Sequence, residues 1–159
     1  MKKSLAFSLL IVLVVSATAL AYPTEMTIKY FREDALDLLE QGKWASAAIS
    51  LSLWETSARE FAGLVASAAR PLGKTTTGKS MGSLAQLRLI EQYQKLSSKY
   101  QEEANMAIVL QAECYWNMGD YDRTLETIIS VFDSLTREEW ETWTKAREIL
   151  SDVLDLGIE

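Results

Sequence analysis

The chain has 159 residues, 48% of them hydrophobic, with 16 basic and 22 acidic side chains and no histidine. A formal net charge of −6 excludes a phosphate-backbone binder as the default interpretation, because such domains present a basic surface. The absence of histidine removes His-based triads and His-ligated metals, and the single cysteine, Cys114, excludes an intrachain disulfide framework. These features predict a small acidic domain, and we expect no cofactor.

Residues 1–21 have the organisation of a secretory signal peptide. The positive head Lys2-Lys3 precedes an apolar run, and Ala19-Leu20-Ala21 supplies the small residues of a cleavage site. The alternative is an uncleaved membrane anchor, but the strongly apolar run ends at Val15, short of the about 20 residues that a spanning helix needs. We therefore expect a cleaved, periplasmic or secreted product without a membrane span, forming one domain over residues 22–159.

The spacing of apolar residues is helical along nearly the whole mature chain. A first helix is predicted from its N-cap Thr24 to Gly42, where a left-handed residue ends it. A second helix carries one apolar stripe and is expected to end at Pro71. Residues 71–82, rich in Gly, Lys and Thr, are predicted to form a basic loop.

Four further helices are predicted after this loop. A capping box at Ser83 begins a helix that runs to about Tyr100, and a separate helix follows from about Glu103. Caps at Asp120 and Thr136 begin the last two. Since no segment alternates with a period of two, we predict an all-α fold of about six antiparallel helices joined by short connections.

Two segments share one order of side-chain types. Residues 35–47 and 112–124 both read small residue, large apolar residue, glycine, aromatic residue and small residue at the same spacing. Small residues let two antiparallel helices approach closely, and the glycine turns the chain between them. The order resembles the helix–turn–helix unit of the tetratricopeptide repeat (TPR) family, and Gly119-Asp120-Tyr121-Asp122 is typical of that family's turn. The resemblance implies a stack of helical hairpins, and a generic helical bundle is the alternative.

The two units are not spaced as consecutive repeats. Gly42 and Gly119 lie 77 residues apart, whereas whole repeats would place them a multiple of 34 residues apart. The chain between the units is therefore either a degenerate repeat with an enlarged loop or a pair of unrelated helices.

The TPR resemblance implies a concave face that binds a partner and is lined by the first helix of each unit. The matching polar and aromatic positions are Lys29, Arg32, Glu40, Glu113, Trp116 and Asn117, and the apolar positions beside them are Leu36, Leu39, Met106 and Val109. The basic loop adds a second candidate contact, formed by Arg70, Lys74 and Lys79. Charge is uneven, because residues 61–90 hold four bases and no acid, while residues 83–159 hold 15 acids and seven bases.

These features predict an exported, non-enzymatic module that binds an unidentified protein or peptide, as an adaptor or assembly factor of the cell envelope. We expect it not to bind nucleic acid. The alternative is an all-α carrier of an apolar small ligand, which an enclosed apolar cavity would favour over an open groove.

Residues 73–80 match the P-loop pattern G-x-x-x-x-G-K-[ST] letter for letter. In a working P-loop a buried strand precedes the glycines, and here Lys79 would reach the β and γ phosphates. The residues before Gly73 continue a helical stripe instead, and no second strand supplies a carboxylate for Mg²⁺. Nucleotide binding is therefore the third hypothesis.

Two further groups receive structural interpretations. Trp140 and Trp143 share one face of the last helix, and we expect them to cover the end of the stack. Glu138 and Glu139 are sequence neighbours that do not face each other, so we expect them to stabilise a helix N-terminus rather than to form an acid–base pair. No catalytic constellation is found, and we do not expect an enzyme.

Overall fold

In the computed structural model, residues 23–76 and 84–156 are described, with the backbone alone for residues 71–76 and 156. They form five helices, which are α1 (Glu25–Glu40), α2 (Trp44–Thr76), α3 (Leu84–Asn117), α4 (Tyr121–Phe132) and α5 (Trp140–Leu156). This part of the chain contains no strand, which confirms the predicted all-α class. The predicted signal peptide lies outside the described residues. Within them, no helix is both long and apolar enough to span a bilayer.

The helices α1 and α2 form a hairpin around Gly42. Thr24 caps the start of α1 as predicted. At the other end Gly42 has a φ of 66°, its N–H donates to the carbonyl of Leu39, and the N–H of Lys43 donates to the carbonyl of Leu38, both at 2.9 Å. These are the two hydrogen bonds of a Schellman motif, which requires a left-handed residue at this position. The predicted end of the first helix is confirmed.

The hairpin of α3 and α4 repeats this turn. Gly119 has a φ of 75°, its N–H donates to the carbonyl of Trp116, and the N–H of Asp120 donates to the carbonyl of Tyr115, both at 2.9 Å. The Asp120 side chain then caps α4 by accepting the N–H of Arg123 at 3.3 Å. The two turns therefore share one hydrogen-bond pattern.

Replacing Gly42 or Gly119 by alanine is expected to lower the free energy of unfolding by about 1 kcal/mol each. An added Cβ meets no atom within 4 Å at either position, so the cost comes from the left-handed backbone alone. Urea unfolding followed by circular dichroism measures this loss. The matched control is Gly63→Ala, which also meets no atom but lies inside α2 and is expected to gain stability. A loss of stability at Gly63 like that at the turns would contradict the backbone argument.

The helix α2 is longer than its sequence predicts. The expected end at Pro71 is wrong, and the predicted loop over residues 71–82 is wrong for residues 71–76, because α2 continues to Thr76. A proline inside a helix removes one backbone hydrogen bond and crowds the preceding turn. The residues before Pro71, Ala68, Ala69 and Arg70, are strong helix formers, so this local cost does not end the helix there.

The helix α3 combines two predicted helices in one. It runs over 34 residues without a break between Tyr100 and Glu103, so the described chain has five helices where about six were expected. No glycine or proline interrupts this segment, and Tyr100 and Ala104 are both buried on one continuous face. The polar residues between them lie on the other side of the same helix and do not end it.

The last helix begins later than its predicted cap. The helix α5 starts at Trp140 rather than directly after Thr136. The Oε1 atom of Glu139 accepts the backbone N–H of Thr136 at 2.9 Å, which is one of the two hydrogen bonds of the predicted capping box. Glu139 thus stabilises the entry to α5, as expected from the sequence.

The helices α2 and α3 are antiparallel. The Ser97 hydroxyl donates to the carbonyl of Ala62 at 3.0 Å, and the Gln111 side chain donates to the carbonyl of Ala48 at 3.1 Å. The earlier residue of α3 is thus bonded to the later residue of α2, and the later residue of α3 to the earlier residue of α2, as in an antiparallel pair.

The free end of this pair extends past the core. After Val65 in α2 and before Tyr100 in α3, no described side chain is buried. We name this part of the two helices, residues 66–76 and 84–99, the arm. A rise of 1.5 Å per residue makes the arm roughly 15–25 Å long.

Two clusters of buried side chains form the interior. The first joins α1, α2 and α3 and includes Ile28, Ala35, Ala47, Leu51, Trp54, Ala58, Tyr100, Ala107 and Cys114. The second joins α3, α4 and α5 and includes Ile108, Val109, Ala112, Ile128, Val131, Ala146 and Ile149. Because α3 contributes to both clusters, it connects the two hairpins.

Candidate functional site

A cavity of about 550 Å³ opens to solvent between α1, α3 and the start of α5. We name it the acidic groove, and its lining residues are Arg32, Trp54, Lys99, Glu102, Glu103, Met106, Glu138, Glu139, Trp140, Glu141 and Thr142. Because α3 packs in both core clusters, α1 lies on one side of the groove and α5 on the other.

Carboxylates outnumber cations in the acidic groove by five to two. Both cations are directed to Glu103, with nitrogen–oxygen distances of 3.6 Å from Arg32 and 3.9 Å from Lys99. The other four carboxylates form no ion pair with any described residue, and they are Glu102, Glu138, Glu139 and Glu141. The groove therefore has an uncompensated negative charge on its α5 side.

Glu139 places one of these charges in a fixed position. Its side chain is buried, with the Nδ2 atom of Asn105 donating to Oε2 and the backbone N–H of Thr136 donating to Oε1, both at 2.9 Å. Asn105 is itself buried and is held by Ser134. Because both donors are neutral, they orient the carboxylate without cancelling its charge.

The neighbouring carboxylates affect the ionisation of Glu102. Loss of hydration, followed by the negative charges of Glu139 and Glu138, raises the pKa of Glu102 above its ordinary value. A positive group placed among these side chains would oppose that shift. The electrostatics of the groove thus favour a cation over an anion.

Trp140 stands at the edge of the acidic groove and is 67% exposed. Its ring stacks on Trp143 at a centroid distance of 6.4 Å and an interplanar angle of 8°. Trp143 is held in turn by Phe132, edge to face at 6.0 Å, and by the Arg147 guanidinium 5.0 Å from its ring. The pair is therefore a supported aromatic surface, in which Trp143 packs against α4 and Trp140 faces solvent.

Trp140 also lines two further cavities of about 450 Å³ each. One contains Leu135, Arg137 and Trp143, and the other contains Glu113 and Lys145 among its lining residues. Three depressions thus meet at one exposed indole ring, a residue type that is enriched in the energetic centres of protein interfaces.

The predicted partner-binding residues of α1 are only partly brought to the groove. Arg32 lines it, whereas Lys29 pairs with Glu33 on its own helix at 3.7 Å. Glu40 is exposed near the end of α1 and lines neither the groove nor the two cavities at Trp140. Lys29 and Arg32 nevertheless line one smaller cavity of about 190 Å³ beside the groove, so that only Glu40 lies apart from both.

The predicted partner-binding residues of α3 lie in its last turns, close to Gly119. Glu113 forms an ion pair with Lys145, with 2.6 Å between its Oε2 atom and the Nζ atom of the lysine. It also lines one of the smaller cavities beside Trp140. Trp116 contacts the ring of Tyr121 at 5.2 Å, and the Asn117 side chain donates to the carbonyl of Glu113 at 2.8 Å. Neither Trp116 nor Asn117 lines the acidic groove.

The predicted basic loop is placed only in part. Arg70 is an exposed side chain of the arm, and the backbone of Lys74 continues α2. Lys79 lies outside the described residues. The P-loop pattern is entered from a helix, since α2 runs through Gly73 to Thr76, so the strand that such a loop follows is absent from the described part of the pattern.

Sequence reasoning missed most of the residues that form the groove. Trp140 and Glu139 received structural roles, and Glu102 and Glu141 received no site role. One usable signal was the local pattern of Glu138, Glu139 and Glu141 around a tryptophan, because a polar start of a helix rarely buries so large an apolar ring.

The described residues thus define an all-α protein of five helices with an open, negatively charged groove and an exposed tryptophan at its edge. Comparisons with models of protein families, with curated proteins and with solved structures found no match. No group of three or more His, Cys, Asp or Glu side chains among the described residues is arranged to hold a metal ion.

Stability is expected to fall as the pH rises from about 10 to about 12, partly through Tyr100. Burial, followed by its hydrogen bond to Glu25 and the charges of Glu25 and Glu103, raises the pKa of Tyr100 to about 12. An unfolded tyrosine has a pKa near 10, so the unfolded chain loses its proton first and the folded state is disfavoured over this interval. The full contribution is present below pH 10, and at pH 11 we expect it to be about 1 kcal/mol smaller.

Urea unfolding at pH 9 and pH 11 measures this change. The variant Tyr100→Phe should lose less stability between the two values than the unaltered protein, while Tyr93→Phe, a partly exposed tyrosine of the arm, should not differ from it. Burial also raises the pKa of the Cys114 thiol to about 11, so a part of the decline should persist in Tyr100→Phe. Identical declines in Tyr100→Phe and the unaltered protein would contradict the prediction.

Proposed function

We propose that the protein is an exported, non-enzymatic module that binds a protein or peptide segment in the acidic groove, as an adaptor or assembly factor of the cell envelope. The observation that carries the proposal is the open cavity between α1, α3 and α5, with the exposed ring of Trp140 at its edge. A preformed groove with a supported aromatic anchor binds a partner at a low entropic cost.

A TPR-like arrangement of the hairpins is part of this proposal. Its support comes from the matched small positions, since Ala35 and Ala112 before the turns, and Ala47 and Thr124 after them, are all fully buried. The two turns also use the same pair of hydrogen bonds around a left-handed glycine. In such a stack α1, the second half of α3, and α5 would be the first helices of successive units, and these three line the acidic groove.

The arm offers an account of the unusual spacing of the glycines. Consecutive units would place them 34 residues apart, so their separation of 77 contains roughly 40 additional residues. The lengthened ends of α2 and α3, with the chain between them, supply about this number. The two units can then be neighbours, without a degenerate repeat between them.

The lining of the groove favours this proposal over a carrier of an apolar ligand. A carrier encloses its ligand in an apolar cavity. Here the cavity is open to solvent, and seven of its eleven lining residues are charged.

Export is supported by the sequence of residues 1–21, and we expect the mature protein to begin at Tyr22. Intact-mass spectrometry of the protein recovered from envelope and culture fractions should show a mass lower than 17.9 kDa by that of these residues. The variant Ala21→Gln should retain them, because the cleavage site requires a small residue. Recovery of the full-length mass from the unaltered protein would contradict cleavage.

The binding function is tested by selecting peptides from a phage-displayed library of random 12-residue sequences on the purified protein. Selected peptides, synthesised with a fluorescent label, should bind the protein in polarisation measurements and bind Trp140→Ala at least about tenfold more weakly. The matched control is Tyr30→Ala, which removes an exposed aromatic ring of α1 that lines none of the cavities at Trp140. Failure to select any peptide, or equal loss in both variants, would overturn the proposal.

A further inference from the structure

We propose that the occupant of the acidic groove is a cationic peptide segment, with Lys or Arg side chains among the carboxylates and one side chain lying on the ring of Trp140. This inference rests on the proposed function and names the chemistry of its partner. It is carried by the combination of an exposed aromatic surface and a groove whose negative charge is not neutralised by the chain itself.

The distribution of ion pairs sets the sign of the partner's charge. Arg32 and Lys99 approach Glu103 on the α1 side, and the residues that line the α5 side of the groove include no cation. Arg137, beside Glu138 in the chain, lines the adjoining cavity at Trp140 instead. On the α5 side Glu139 is fixed by two neutral donors, so its charge cannot turn away to solvent. An incoming ammonium or guanidinium group would gain charge-assisted hydrogen bonds to the exposed carboxylates of Glu102, Glu138 and Glu141, beside the fixed charge of Glu139.

The exposed ring of Trp140 favours a peptide over a free ion as the partner. Its ring is 67% exposed and is backed by the parallel ring of Trp143, so the surface is available and held in position. The face of an indole attracts both cations and the alkyl stems of Lys and Arg. A side chain that carries its charge at the end of an apolar stem satisfies the ring and the neighbouring carboxylates together.

The cavities around Trp140 indicate that the peptide contacts this site through several of its residues. The acidic groove and the two smaller cavities meet at this ring, so several successive side chains of one segment can be seated around it. In the cavity that holds Glu113, this carboxylate is already paired with Lys145 at 2.6 Å. We therefore expect the Lys and Arg side chains of the peptide to bind mainly on the groove side of Trp140.

The test uses three labelled 12-residue peptides of alternating residues, Lys with Leu, Ser with Leu and Glu with Leu, titrated with the purified protein in fluorescence polarisation. The Lys/Leu peptide should bind at least about tenfold more tightly than the Ser/Leu peptide, and the Glu/Leu peptide should be the weakest. Raising the salt concentration from 50 to 500 mM should weaken the Lys/Leu peptide most.

Charge-removing variants locate the interaction. The double variant Glu102→Gln/Glu138→Gln should bind the Lys/Leu peptide at least about tenfold more weakly than the unaltered protein. The matched control is Glu60→Gln/Glu126→Gln, which removes the same charge from exposed positions of α2 and α4 that do not line the groove and should change binding little. Circular dichroism verifies that both double variants are folded.

The outcomes separate this inference from the proposed function. Equal affinity for the Lys/Leu and Ser/Leu peptides, both lost in Trp140→Ala, would overturn the cationic partner and leave peptide binding in place. Equal weakening in the two double variants would also overturn it, because the effect would then be one of net charge alone. Binding of none of the three peptides, together with a failed library selection, would overturn the proposed function itself.

Discussion

Replacing Trp54 by alanine is expected to lower the free energy of unfolding by about 3–5 kcal/mol. The side chain is 3% exposed in the cluster that joins α1, α2 and α3. Its Nε1 atom also donates to Glu103 at 3.4 Å, where the cations of the groove are directed. The substitution would leave a large cavity between three helices, and so large a loss is a substantial fraction of the stability of a domain of this size.

Urea unfolding followed by circular dichroism measures the effect of Trp54→Ala. The matched control is Trp140→Ala, because it makes the same chemical change at a side chain that is 67% exposed. We expect the control to change the free energy of unfolding by less than about 1 kcal/mol. Similar losses in the two variants would contradict the assignment of Trp54 to the core and Trp140 to the surface.

The second large effect is expected at Asn105, where alanine should cost about 2–4 kcal/mol. This fully buried side chain accepts hydrogen bonds from Gln101 at 3.3 Å and from the Ser134 hydroxyl at 2.9 Å. It also donates to the Ser134 carbonyl at 3.3 Å and to Glu139 at 2.9 Å. Its removal would leave the buried carboxylate of Glu139 without its side-chain donor.

A double-mutant cycle isolates this pair. The variants Asn105→Ala, Glu139→Ala and Asn105→Ala/Glu139→Ala are compared by urea unfolding, and the double variant should lose less than the sum of the two single losses. The single variant Gln101→Ala serves as a control that should cost less than Asn105→Ala, since the Gln101 amide donates to Asn105, and not to Glu139, from a partly exposed position. Additive losses would show that the carboxylate does not depend on Asn105.

The helix ends that were predicted correctly are those with a local cause. Thr24 and Asp120 accept backbone N–H groups within three residues, and Gly42 and Gly119 adopt a left-handed conformation that other residues avoid. Their physical chemistry is contained in a few neighbouring residues. Sequence reasoning therefore identified both turns.

The two ends that were predicted wrongly have different causes. At Pro71 a single breaker was given too much weight, because the residues before it are strong helix formers and α2 continues to Thr76. No glycine or proline separates Tyr100 from Glu103, and the burial of Tyr100 and Ala104 on one face keeps α3 whole there. Propensity is a weak guide where a long helix has a partner.

The candidate site was less accessible to sequence reasoning than the fold. Its lining comes from four helices and the turn before α5, and the sequence does not say which carboxylates of separate elements will face each other. Arg32 was identified through the repeat resemblance, because that argument used the face of α1. Nothing in the sequence marks Asn105 as buried, since asparagine is usually a surface residue.

The arm has a consequence for how the molecule can be lengthened or shortened. Because no described side chain of residues 66–76 and 84–95 is buried or packs against a core cluster, whole turns could be inserted or deleted at matching points of these two segments without disturbing either cluster. Each added turn would carry Thr76 and Leu84, the helix ends of the arm, about 5.4 Å further from the groove. The described chain thus combines a packed base with an arm whose length can change without a change in the acidic groove.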